Sequence, residues 1–282
     1  MLKNIKNSKV ILFATLSITA SVSSGLSLAA DMPVRGFATA DSIDQWSGIY
    51  VGASASGSAF SAVMTPTVMA SFAGVAYSGT PEMQKSLDFT SAGFGVSIGS
   101  KRQYGNVVYG FEADIQRNSG TSSAQFTCAA PVSGTVCEPV SGNPFTSIQA
   151  SHKINYSTTS VVSLGFAVSP GILVYGAAGV AVANINTSVT PTFNGAGPVT
   201  YTATANTNNF RAAPAIGVGT SLALHKNITA DILVLHENYG NLSSGAASYG
   251  GTGGGSAWTQ TTSTSSQITN NKVRFSLQYK IQ

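Results

Sequence analysis

Charge is scarce in this chain. Asp, Glu, Lys and Arg make up 9% of its 282 residues, against roughly 25% in ordinary soluble domains. Long apolar runs are missing too. Past the first 30 residues no stretch approaches the about 18 apolar residues of a membrane-spanning helix, although mean hydropathy is +0.18. The two absences exclude a typical soluble domain and a helical membrane protein. Only two cysteines and three histidines are present, which leaves little material for metal or nucleophilic chemistry. Cys128 and Cys137 lie close together in a polar segment with Pro and Gly. Without an adjacent histidine pair they make a poor zinc site. In an exported chain they read as a disulfide closing a local loop, with two free thiols as the alternative.

Export is what the N-terminus suggests. Lys3, Lys6 and Lys9 form a basic start, Val10–Ala20 an apolar run too short to span a bilayer, and "SLAAD" offers cleavage after Ala29 or Ala30. The division expected is a signal peptide over 1–29, a short mature leader over 30–45 and one domain over 46–282. Cleavage takes three of the 14 basic residues and leaves 11 against 10 acidic ones. Basicity therefore gives no support to nucleic-acid binding.

What the sequence has in quantity is alternation. In "VVYGFEADIQ" (Val107–Gln116), Tyr109, Phe111, Ala113 and Ile115 share one face, and Glu112, Asp114 and Gln116 the other. Similar period-two stretches occur at 47–56, 88–100, 155–169, 171–185, 209–225, 228–240 and 271–281. The eight segments are joined alternately by short turns (101–106, 169–171, 225–227) and by long stretches of Gly, Ser, Thr, Asn and Pro. That pattern predicts an all-β fold: an eight-stranded antiparallel transmembrane up-and-down β-barrel with four long extracellular loops and short periplasmic turns. Apolar faces then point outward, placing Phe94, Leu164, Phe275 and Tyr279 against lipid. A soluble calycin-like barrel is the alternative, but it needs polar outward faces, and the polar faces here are thin, mostly Gly, Ser and Ala.

Three stretches carry a family resemblance. "WSGIYVGASASG" (Trp46–Gly57), "YGFEADIQ" (Tyr109–Gln116) and "NNKVRFSLQYKI" resemble the opening, middle and closing strands of the small outer-membrane β-barrels of alphaproteobacteria, the porin-family or major outer-membrane proteins. The mature start "ADMPVR" is similar as well. The resemblance implies an envelope-structural role for many members, heme binding or adhesion for some, and a porin activity that is often assumed. It also implies an inward ion-pair network, here only partly present. Val161 and Ser163 stand about where the family has arginines, and Leu233 where it has a glutamate. The lumen charges expected are Glu112, Asp114, Asp231 and Glu237 with Arg211, Arg274 and Lys280. Buried charges persist only when paired, so this set implies a plugged lumen. The chain ends Ile281-Gln282 rather than on an aromatic, which weakens the usual assembly signal.

No spacing motif supports catalysis, and the chain reads as a non-enzyme with no cofactor and no metal. His225 falls in a turn, His236 follows Ile232 and Val234 towards an interface belt, and His152 opens a strand in a polar, exposed setting. Heme ligation by His152 or His236 is raised by family analogy alone. "GGTGGGS" (Gly250–Ser256) lacks the Lys-Ser/Thr ending of a phosphate loop and reads as a loop tip. The function expected is an integral outer-membrane barrel of a Gram-negative cell, structural or surface-interactive, with at most a narrow pore. Its alternatives are a diffusion porin or a heme or ligand receptor. Partners expected are outer-membrane lipid and lipopolysaccharide, the barrel-assembly machinery during biogenesis, and host or ligand contacts through the loops.

Overall fold

A computed structural model describes residues 44–72, 75–79, 85–127, 145–194, 200–253 and 256–281. The signal, most of the leader and the Cys128/Cys137 pair lie outside the described residues.

Eight long strands form the wall: β1 (Gly48–Phe72), β4 (Phe89–Tyr104), β5 (Val107–Asn118), β7 (Phe145–Ser169), β8 (Ile172–Asn194), β10 (Ala205–His225), β11 (Ile228–Ser243) and β13 (Ser256–Ile281). Each pairs antiparallel with the next. The ring closes where β1 meets β13, from Ile49 opposite Ile281 to Phe72 opposite Trp258. Closure lets neighbouring strands satisfy one another's backbone groups, as a bilayer requires. Five short strands extend the wall on the loop side: β2 (Val75–Gly79), β3 (Lys85–Ser86), β6 (Thr121–Phe126), β9 (Thr200–Thr202) and β12 (Ala247–Gly253).

The other end has tight turns. Gly105-Asn106 joins β4 to β5, with Gly105 at φ +58°, where a side chain would be strained. Pro170-Gly171 joins β7 to β8, and Lys226-Asn227 joins β10 to β11.

Much of what the sequence reads as loop is strand. β1 and β7 have 25 residues each and β13 has 26, against the about 9–11 that cross a membrane. The extra length is made of segments such as "TQTTSTSSQ" in β13. Thr favours the pleated backbone, but with no apolar alternation the segment carries no visible face.

On β1 and β7 burial divides the strand into two regimes. In the turn-side half of β1, Ser54, Ser56 and Ser58 are buried inside, while Ile49 and Val51 are exposed outside. In its loop-side half, Phe60, Ala62, Met64 and Val68 are buried inside, while Ser61, Val63 and Met69 are exposed. The switch recurs on β7. Val162, Leu164 and Phe166 face out in the turn-side half, whereas Ile148, Ala150 and Ile154 face in beyond it, with Gln149 and Lys153 outside. The turn-side half therefore has the polarity of a membrane barrel and the loop-side half that of a soluble one. The outward apolar band ends at the level of Arg117, Tyr156, His236 and Asn271. This is the loop-side edge of the hydrocarbon. The chain is a transmembrane barrel whose wall continues past the bilayer.

The wall is uneven on one side. Pairing of β10 with β11 stops at Ala215–Glu237, although both strands run on. Pro214, next along β10, has no N–H to give. Opposite it, β11 breaks register between Asn238 and Gly240, where Gly240 has φ +67°.

Candidate functional site: the filled lumen

Sequence alternation sends every second residue of the membrane section inward, into a space that eight strands leave just wide enough for side chains. The first layer, nearest the turns, is a charged network. Arg274 of β13 forms an ion pair with Glu112 of β5 and a longer one, 3.5 Å, with Asp114. Gln278 donates to the second Glu112 oxygen at 2.8 Å. Across the lumen, Tyr175 and Ser221 both donate to Asp231 Oδ2, at 2.7 and 2.6 Å. Gly219 makes room for Tyr175: a Cβ there would lie 2.4 Å from its ring. Lys101 Nζ stands 3.4 Å from Ser221 Oγ and from Gln278 Oε1, and 5.0 Å from the centre of the Tyr50 ring.

A second charged layer lies nearer the loops. Lys272 and Glu237 pair at 3.1 Å. Glu237 also accepts from Tyr239 at 2.8 Å and Asn270 at 2.7 Å, and Lys272 donates to Thr159 at 3.1 Å. Amide and hydroxyl groups fill space on the β1–β5 side. Gln116 accepts from Ser56 at 2.7 Å and donates to Ser54 at 3.1 Å.

Beyond the charges comes the apolar plug. Phe60 stacks on Phe89 with ring centres 4.8 Å apart. Met64, Phe126, Ile148, Ile154, Ile185 and Ile268 are all buried around the same interior.

Of the residues expected to carry lumen charge, Glu112, Asp114, Asp231, Glu237 and Arg274 are buried inside. Arg211 points inward on β10 but lies past the end of the β10–β11 ladder, and among the described residues it forms no ion pair. Lys280 sits at the turn-side mouth and donates to the Gln45 carbonyl at 3.0 Å. Of the three expected strand cations, Arg274 stands among the lumen acids, whereas Arg211 and Lys280 lie outside that network and their placement needs correction. Lys272 and Lys101 hold the other inner positions beside Arg274. Lys272 shares Arg274's phase in the sequence, which was a usable signal. Lys101 looks like part of a turn until the pairing carries β4 on to Tyr104. Phe94, Leu164, Phe275 and Tyr279 all project outward and are more than half exposed (51–69%).

The histidines divide differently from the sequence reading. His152, expected in an exposed setting, is 1% exposed inside the plug, with Nδ1 3.0 Å from Thr187 Oγ1. The bulge between Ile154 and Tyr156 shifts the phase of β7 and turns His152 inward. Its Nε2 has no hydrogen-bond partner among the described residues. Burial pushes the imidazole down to about 4, so it is neutral at pH 7. His236 faces outward at the edge of the apolar band, with Nδ1 2.8 Å from Asn271 Oδ1.

Protonating His152 requires charging a buried ring. Its folded-state value lies below the unfolded one of about 6.5, so this residue's contribution to stability is complete above pH 6.5 and is lost as pH falls towards 4. The loss amounts to about 3 kcal/mol at the acid end. We expect His152→Asn to flatten the acid limb of an unfolding-against-pH curve relative to wild type. Parallel curves would remove the assignment.

Among the described residues no group of three or more His, Cys, Asp or Glu could hold a metal ion. No protein-family profile matches the chain, and no curated protein sequence matches it. Solved structures do align with it. Neisserial surface protein A is 13% identical, with 83% of this chain and 98% of that one covered and a TM-score of 0.33. The outer membrane protein OprG from Pseudomonas aeruginosa is 10% identical, covering 84% and 99%, with a TM-score of 0.39. Ail, the attachment invasion locus protein of Yersinia pestis, is 9% identical, covering 77% and 98%, with a TM-score of 0.29.

Proposed function

We propose that this chain is an integral barrel of a Gram-negative outer membrane, exported by its N-terminal signal, with a structural and surface-interactive role and no conducting pore. The observation that carries the reading is the reversal of polarity along β1 and β7, with the interior occupied in both halves. Two charged layers fill the membrane section and an apolar plug fills the section above it. A diffusion porin needs a water-filled channel; the stack of buried paired charges capped by Phe60, Met64 and Phe126 argues against one. A heme receptor needs an accessible axial ligand; His152 is enclosed, and His236 faces outward on the lipid side with Nδ1 against Asn271.

The loop-side wall is the part that would meet other cells or molecules, because β1, β7, β8 and β13, with 23 to 26 residues, carry it clear of the bilayer. Lipopolysaccharide around the barrel and the barrel-assembly machinery during insertion are the partners this reading calls for. No catalytic arrangement enters it. The test combines two measurements on protein folded in detergent. Unboiled samples are expected to migrate faster on a gel than boiled ones, and planar bilayers are expected to stay silent. Steady single-channel steps would overturn the plugged-lumen reading, and the absence of a band shift would overturn the closed barrel.

A further inference from the structure

Among the described residues the outward face holds a feature that lumen packing does not explain. A trough of about 770 Å³ crosses the lipid face along the hydrogen-bonding direction, from Val162 and Leu164 on β7 to His236 on β11 and Asn271 on β13. Its volume falls within the roughly 300–1,000 Å³ of ligand sites. The cause is local. β8 presents Gly176 and Ala178 outward between Leu164 and Val162 on one side and Val218 and Ile216 on the other. A Cβ on Gly176 would meet nothing within 4 Å.

The trough has a direction. Its β7 and β8 end is apolar: Leu164 and Gly176, with Val162 and Ala178 in the same hydrogen-bonding row as His236 and Asn271. Its β11 and β13 end is the hydrogen-bonded pair His236 and Asn271, at the loop-side edge of the apolar band. One end is apolar and inside hydrocarbon; the other is polar and at headgroup level. The polar end also lies beside the place where β10 and β11 part, at Ala215–Glu237.

We propose that the trough seats one acyl chain of an outer-leaflet lipid, with the lipid's headgroup against His236 and Asn271 and the tail running down to Gly176. The inference rests on the membrane reading. The trough is continuous with the lipid-facing belt, so hydrocarbon already surrounds it. Strands in a barrel are tilted, so a row along the hydrogen-bonding direction slants through the bilayer as a tilted acyl chain does. A lipid carries hydrogen-bonding groups at one end only, which matches the single polar end. His236 offers Nε2 to a headgroup while Nδ1 holds Asn271.

The test is native mass spectrometry of the full-length barrel, purified in mild detergent with added lipid A, the acylated anchor of lipopolysaccharide. Wild type is expected to retain one lipid after collisional stripping removes the detergent. Gly176→Leu with Ala178→Leu fills the trough with side chains suited to hydrocarbon and is expected to abolish that peak. Ala53→Leu with Ala55→Leu adds similar bulk to the outward face of β1 and is expected to keep it. Equal retention in all three, or none in wild type, would overturn the proposal. So would efficient disulfide dimerisation of Gly176→Cys in membranes, which would give the trough to a second copy. Heat modifiability, measured on the same samples, separates this failure from failure of the barrel reading.

Discussion

Replacing Arg274 by Met is expected to destabilise the barrel by about 3–5 kcal/mol, the usual cost of stranding a buried charge. Arg274 is 1% exposed and is the ion-pair partner of both Glu112 and Asp114. Asp114 has no other recourse, since neither of its oxygens accepts a hydrogen bond among the described residues. Glu112 keeps Gln278. Because the damage comes from uncompensated carboxylates rather than from lost attraction, neutralising them should repair it. The triple variant Arg274→Met, Glu112→Gln, Asp114→Asn is expected to recover most of the loss, as isosteric replacement of buried ion pairs is often neutral. Urea unfolding in lipid vesicles reads both effects. If the single variant loses as little as an exposed substitution would, the pairing drawn here is wrong. If the triple variant is no better than the single one, the cost lies in packing and not in charge.

A charge placed on the outer wall in the membrane section should do comparable harm for a different reason. Leu164→Arg and Phe94→Arg each exchange an outward apolar side chain for a cation facing hydrocarbon, at about 2–4 kcal/mol near the midplane of a bilayer. Ser163→Arg, one residue along and pointing inward, is expected to be better tolerated because the lumen already holds Glu112, which the pairing places beside Val161 on the same strand. Lys153, on the outward face beyond the apolar band, supplies an internal control. It is a native exposed cation on the same strand, and Lys153→Leu should leave membrane stability unchanged. The ordering Leu164 and Phe94 first, Ser163 next and Lys153 last is the signature of the polarity reversal. Equal sensitivity at Leu164 and Ser163 would contradict the assigned orientation.

Period-two alternation was enough to place Glu112, Asp114 and Gln116 on one face and Tyr109, Phe111 and Ile115 on the other, because the pleat forces successive side chains apart. The short turns at Gly105-Asn106, Pro170-Gly171 and Lys226-Asn227 were also legible, since Gly, Pro and Asn mark turns through their backbone preferences. Even spacing of strands and alternating connection lengths then led to an eight-stranded ring. None of this needed contacts between distant residues.

Pairing decided the rest. Strand register carries β4 past Ser100 and so brings Lys101 into the lumen beside Ser221 and Gln278, partners 120 and 177 residues away. A bulge in β7 turns His152 from the outside to the inside, which no local pattern announces because one extra residue reverses every side chain beyond it. The loop-side halves of β1, β7, β8 and β13 are strand only because neighbours of matching length exist to hydrogen-bond them. Alone, their Ser and Thr residues specify no face. The interior that results, with its ion pairs within the membrane section and an aromatic and aliphatic cluster above them, is a property of closure. The sequence by itself determined that the chain alternates and turns often enough to make a ring. Only the closed ring decided which alternation faces lipid, which faces water, and at what height the two change places.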